Sequence, residues 1–158
     1  LRTAADIERI GDYAANVAKR SIPLSMVAPV QPARGLEHLA RLAATGVREV
    51  LAAYQERDAE RAHAVWKNDT VLDEAYTGYF RQLLTYMMED PRNITPCTHL
   101  LFMAKNIERI GDHATNIAEN VWFQVTGEPL QSQRRKLDQT SSADFSGLAG
   151  SGDKPARP

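Results

Sequence analysis

The sequence predicts an all-α protein, an elongated helical bundle. Three observations predict it. Apolar residues recur at the 3.6-residue helical period in four long segments, two of those segments are near-copies of each other, and the breaks between segments are short and rich in Pro, Gly and Asp. Apolar residues are 43 % of the 158 and charged residues 25 %, a balance that allows a buried core.

Residues 4–18 align with residues 104–118 without gaps, and ten of the fifteen positions are identical: Ala4, Ile7, Glu8, Arg9, Ile10, Gly11, Asp12, Ala14, Asn16 and Ala18 have their match 100 residues on. Val17 faces Ile117. Such agreement marks a duplication. Ile7, Ile10, Gly11, Ala14, Val17 and Ala18 form one apolar stripe along a helix. Gly11 and Gly111 lie inside that stripe, where Gly costs about 1 kcal/mol against Ala. Close approach of a neighbouring helix is the expected compensation.

Pro23, Pro29, Pro32 and Gly35 are expected to break the chain after the first copy. A second helix is expected over 36–56, with Leu36, Leu39, Ala40, Ala43, Val47, Val50, Leu51 and Tyr54 at helical spacing. Asp58 is the expected N-cap of a third, over 59–89, with a stripe of Val65, Leu72, Ala75, Tyr76, Tyr79, Leu83 and Met87. Asp90-Pro91 ends it. Thr95 is the expected cap of the last helix, with Pro96 at its first position, and Gly127 then Pro129 stop it. At about 1.5 Å per residue the last two helices reach about 45 Å. Long helices joined by short turns read as an elongated bundle. The expected organisation is therefore the last helix of a first unit over 1–28, a complete three-helix unit over 29–127, and a disordered, polar tail over 128–158. The first unit is expected to lack two helices, roughly 80 to 100 residues by the repeat offset.

Composition excludes several function classes. The net charge of −1 gives no push toward nucleic acid or an acidic membrane. No run of about 18 apolar residues spans a bilayer, and no signal peptide is visible. The lone Cys97 forms no internal disulfide and belongs to no zinc pattern, so a reducing cytoplasm is the expected setting and a buried thiol its expected state. Glu60-Arg61-Ala62-His63 has Glu-x-x-His spacing, but a di-iron bundle needs two such motifs. His38, His99 and His113 read as singletons, and Trp66, Trp122 and Phe123 as packing or interface residues.

The chemistry concentrates in acids. Glu8, Asp12 and Asn16 are spaced i, i+4, i+8 on one helix face, and Glu108, Asp112 and Asn116 repeat them. At 100° per residue this face lies roughly 160° from the centre of the apolar stripe, which predicts that it points outward. Asp69 and Asp73 form a second i, i+4 pair, flanking the stripe of their own helix. An antiparallel α-hairpin would bring that pair toward Glu108 and Asp112, and four neighbouring carboxylates call for a cation between them. Oxygen donors without Cys favour hard ions such as magnesium, calcium, manganese or ferric iron. The alternative is a solvated face, with Arg9 and Arg109 pairing to Asp12 and Asp112 at i+3.

The two segments Asp6-Ile7-Glu8-Arg9-Ile10-Gly11-Asp12-Tyr13-Ala14-Ala15-Asn16-Val17-Ala18 and Asn106-Ile107-Glu108-Arg109-Ile110-Gly111-Asp112-His113-Ala114-Thr115-Asn116-Ile117-Ala118-Glu119 resemble the signature helices of the PhoU family, accessory regulators of bacterial phosphate-specific transport. Asp69-x-x-x-Asp73 resembles that family's companion motif. The resemblance covers residues 1–127. It implies paired PhoU-like three-helix bundles carrying multinuclear iron or zinc clusters, with manganese or magnesium as alternatives. The ligands it implies are Glu108, Asp112, Asp69 and Asp73 in the second bundle, and Glu8 and Asp12 in the first. It further implies a non-catalytic cytoplasmic homodimer that touches the membrane only through its partners. Those partners are the ATPase subunit of the phosphate transporter and a sensor histidine kinase, and the outcome is repression of the phosphate-starvation response. The readings set against it are a carboxylate-bridged metal-dependent hydrolase or oxidase and a purely structural bundle. The hydrolase reading lacks any general base or nucleophile beyond the ligands themselves.

Overall fold

Capping residues and prolines delimit four helices in the computed structural model, which describes residues 2–130. Of the tail expected over 128–158, residues 131–158 lie outside the described part. Helix α1 is Arg2–Ser25, α2 Ala33–Glu56, α3 Ala59–Glu89 and α4 Ile94–Thr126, with a 3-10 turn at Pro91–Asn93 before α4. Among the described residues there is no strand, and no helix is long and apolar enough to cross a membrane.

Several expected boundaries hold. The Asp58 side chain accepts from the Arg61 N–H at 2.9 Å and caps α3. Asp90 ends α3 before Pro91. Gly127 adopts φ 76° and closes α4, its N–H reaching the Phe123 carbonyl at 2.9 Å.

Others need correction. Pro23 does not end α1. It sits in the last turn, where one missing backbone bond is tolerable, and the Met26 and Val27 N–H groups close the helix onto the Pro23 and Leu24 carbonyls at 3.2 and 3.3 Å. Gly35 does not break the chain either. It lies in the first turn of α2, and a Cβ there would stand 2.6 Å from the Tyr79 ring. The helix needs Gly here because α3 comes so close. Thr95 is not the cap of α4, since the 3-10 turn feeds the helix directly and Ile94 begins it. Asn93, at the cap position, turns its side chain back to the Tyr86 carbonyl at 3.0 Å and ties α4 to the end of α3. Pro96 still falls in the first turn, where its missing N–H has no partner to lose.

Helix α4 is the axis of the molecule. α1, α2 and α3 each pack along it, and α2 also packs on α3, while α1 leans chiefly on α4. Two apolar clusters follow. One gathers Leu39, Leu72, Tyr76, Leu83, Leu100 and Ile107, and the other Val50, Ala53, Val65, Ile117 and Val121. Each fully buried Leu, Ile or Val stabilises the fold by about 1.5–3 kcal/mol. In α2 the buried row includes Ala53 where Tyr54 was expected, and Tyr54 is 42 % exposed.

The two copies pack on each other antiparallel. Asp6 meets His113, Tyr13 stacks on His113 with ring centroids 5.7 Å apart, and the Arg20 guanidinium covers the Phe102 ring at 4.2 Å. Tyr13 and His113 are equivalent positions of the repeat, so their stack marks a pseudo-twofold axis between α1 and α4. The face of α1 turned to α4 is the row Thr3, Asp6, Ile10, Tyr13, Val17, Arg20 and Leu24, at alternating spacings of three and four.

The expected apolar stripe of α1 is therefore only partly used. Ile10 and Val17 face α4, but Ile7 is 44 % exposed, and Gly11, Ala14 and Ala18 are exposed too. Their counterparts Ile107, Gly111, Ala114 and Ala118 are all buried. The difference lies in the neighbours, because α2 and α3 cover α4 and nothing among the described residues covers α1 in the same way.

Candidate functional site

Antiparallel packing of α3 on α4 assembles the acidic site, and three contacts set its register. The Thr115 hydroxyl is 2.8 Å from Asp69 Oδ1, a Cβ on Gly111 would collide with the Leu72 side chain, and the Lys105 ammonium lies 5.1 Å from the centre of the Tyr76 ring. This register brings Asp73 within a turn of Glu108.

Three of these acids are buried. Asp69 and Asp73 are each 7 % exposed and Glu108 is 5 % exposed. The outward-pointing prediction is thus corrected for Glu108, and Asp69 and Asp73 lie within the buried row of α3 rather than flanking it. Helix α4 has three packed neighbours, so a face opposite one apolar stripe still meets another helix. Asp112 is half-buried.

A buried carboxylate is costly unless charge or hydrogen bonds replace its water. Asp69 accepts from Thr115, whose hydroxyl also lies 3.0 Å from the Gly111 carbonyl. Lys105 Nζ is 3.2 Å from Glu108 Oε2, one turn back along α4, and itself three-quarters withdrawn from solvent. On the α2 side of the same row, a largely apolar cavity of about 270 Å³ reaches Asp69, Leu72, Gly111 and Thr115.

In the first copy the acids are placed differently. Glu8, Asp12 and Asn16 are exposed, and Arg9 stands 3.9 Å from Asp12 at i+3, the pairing of a solvated face. A pair this exposed contributes little. The structure does not bring Glu8 and Asp12 to the Glu108 cluster, because α1 meets α4 through its other face.

The donor chemistry suits a hard cation, but the arrangement does not. Among the described residues, no three His, Cys, Asp or Glu side chains converge so that they could share one metal ion. An ammonium already stands beside Glu108.

Sequence reasoning missed Lys105, Thr115, Tyr76, Asp6 and His113. The signal was present in the two copies, which differ at only five of fifteen aligned positions. Lys105 and Thr115 replace Ala5 and Ala15, Asp6 stands against Asn106, and Tyr13 against His113. Four of those five differences are contacts of the acidic site or of the α1–α4 seam. His63, of the Glu-x-x-His motif, instead packs between Trp66 and Trp122, with ring centroids 5.9 and 5.4 Å away. Cys97 is buried, as expected, and its burial pushes the thiol above its ordinary pKa.

A PhoU domain matches residues 36–121. A phosphate-specific transport system accessory protein PhoU homolog from Xylella fastidiosa (strain 9a5c) is 59 % identical over 145 residues, which is 92 % of this chain and 61 % of that protein. One from Rhizobium meliloti (strain 1021) is 57 % identical over 143 residues, 90 % of this chain and 60 % of that protein. The chain therefore spans about three fifths of the length of the curated relatives it matches. The crystal structure of PhoU from Pseudomonas aeruginosa superposes with a TM-score of 0.77 at 38 % identity, covering 80 % of this chain and 61 % of that one. The phosphate transport system regulatory protein PhoU from Streptococcus pneumoniae gives 0.72 at 25 % identity, covering 82 % of this chain and 61 % of that one. Paired signature helices, the three-helix unit packed around the second of them, and these likenesses agree, and the chain belongs to the PhoU family.

Proposed function

We propose that this chain is a non-catalytic regulator of phosphate uptake, working in the cytoplasm as a homodimer. It couples the ATPase subunit of a phosphate transporter to a sensor histidine kinase and represses the phosphate-starvation response when phosphate is plentiful. The observation that carries the reading is the antiparallel pairing of two signature helices, in a chain whose relatives are named accessory proteins of phosphate-specific transport. The geometry suits an adaptor. α4 is a rod of 33 residues, about 50 Å long, with three helices packed along it, and α1 keeps Ile7, Gly11, Ala14 and Ala18 exposed.

The test is complementation. A bacterial strain lacking its own PhoU shows high phosphate-starvation reporter expression in rich phosphate, and this chain should lower it. Purified chain should also retain the transporter ATPase and the kinase in pull-downs. A reporter that stays high while the folded protein accumulates, together with no retention of either partner, would overturn the reading.

A further inference from the structure

The metal expectation and the structure disagree at one atom, and the disagreement is informative. A cation is already in place beside Glu108, supplied by the chain. Lys105 Nζ is 3.2 Å from Glu108 Oε2, an ion-pair contact outside hydrogen-bond geometry, and lies over the face of Tyr76, so a carboxylate and an aromatic ring hold the same ammonium. The register of Leu72 against Gly111 and Tyr76 against Lys105 sets Asp73 between those two levels. The repeat adds an independent argument. At the equivalent place in the first copy the residue is Ala5, and there Glu8 is exposed. A lysine stands beside the glutamate in the copy where that glutamate is buried, and alanine stands in the copy where water can solvate it.

We infer that Lys105 is the internal counter-cation of the second acidic cluster, and that a divalent metal ion reaches Glu108 only by displacing it. The side chain is 25 % exposed, so its four-carbon stem has a route to solvent along the surface of α4. A divalent ion competing for the same oxygen must separate this pair, which lowers its apparent affinity by the worth of the pair. Removing the ammonium removes that competition. The inference is independent of the adaptor role, because it concerns binding by the purified chain alone.

The experiment is isothermal titration of the whole chain with Mn²⁺ and with Zn²⁺. Lys105→Met keeps the stem without the charge, and Lys105→Ala copies the first repeat. Both should bind metal about tenfold or more tightly than the parent. Lys105→Arg should bind as weakly as the parent, and adding Glu108→Gln to Lys105→Met should abolish the gain. If the two neutral variants unfold without metal by circular dichroism, Mn²⁺ should restore their helicity. A parent that already binds as tightly as Lys105→Met would overturn the inference. So would folded neutral variants that bind no tighter, or unfolded ones that metal does not rescue.

Discussion

His113 Nδ1 stands 2.8 Å from Asp6 Oδ1, across the seam between the two copies of the repeat. The side chains are only 22 % and 14 % exposed, and Asn116 Nδ2 approaches the same oxygen at 3.4 Å. Tyr13 lies stacked on the imidazole, with the Arg109 guanidinium 5.6 Å from the Tyr13 ring centre. One carboxylate thus receives two donors from α4 at the point where α1 is otherwise held by half-buried side chains. Replacing either residue by Ala should loosen α1. The coupling between Asp6→Ala and His113→Ala in a double-mutant cycle, read from urea unfolding, should be about 1 kcal/mol. Additive single effects would show that the pair does not hold the seam.

The repeat glycines should part company. Nothing lies within 4 Å of a Cβ built on Gly11, so Gly11→Ala should raise stability by about 0.5–1 kcal/mol through helix propensity alone. On Gly111 the same Cβ collides with the Leu72 side chain, which is buried. Overpacking of about 1–3 kcal/mol outweighs the propensity gain, so Gly111→Ala should cost about 1 kcal/mol. Thermal melts of the two variants would decide it, since equal shifts contradict the packing difference.

Cys97 should resist alkylation. Its side chain is fully buried, and burial holds the thiol above its ordinary value of 9.0, so little thiolate forms in the native chain. Iodoacetamide at pH 8 should label it only at the rate of unfolding, and at once in denaturant. Rapid labelling of folded protein would mean the core around Leu100 opens locally.

Alkaline pH should destabilise the fold. Burial, with Cys97 adding to it, lifts the Tyr79 phenol far above its ordinary 10.0, and burial also raises Cys97. Both groups then keep their protons longer in the folded than in the unfolded chain. Their contribution is complete below about pH 9, and it is lost as pH climbs above the unfolded values of 9.0 and 10.0. The Tyr79 hydroxyl is also buried with no hydrogen-bond partner among the described residues. Tyr79→Phe should therefore match or exceed the parent by up to about 1 kcal/mol at pH 7 and flatten the decline above pH 10. Urea midpoints across pH 7 to 11 would show whether it does.

Local chemistry made much of this protein legible. Asp58 reads as a cap because a short carboxylate can reach its own helix's free N–H groups, and Gly127 reads as a stop because it tolerates positive φ. Pro23 and Gly35 misled because their meaning depends on position. A proline in a last turn loses one bond, and a glycine facing the Tyr79 ring is a packing device rather than a break.

By itself the sequence determined four helices, the duplication and the acids it carries, since each follows from residues close along the chain. Tertiary structure alone decided what those acids became. Ile7 and Ile107, or Glu8 and Glu108, stand in the same Ile-Glu-Arg-Ile-Gly-Asp run, yet the second of each pair is buried and the first is exposed. Helix periodicity defines faces only relative to one another, and burial depends on how many helices arrive. α4 received three neighbours, and with them the need for Thr115 beside Asp69 and Lys105 beside Glu108. A buried charge must find a counter-charge or a hydrogen-bond donor within a few ångströms, wherever in the chain that residue happens to be.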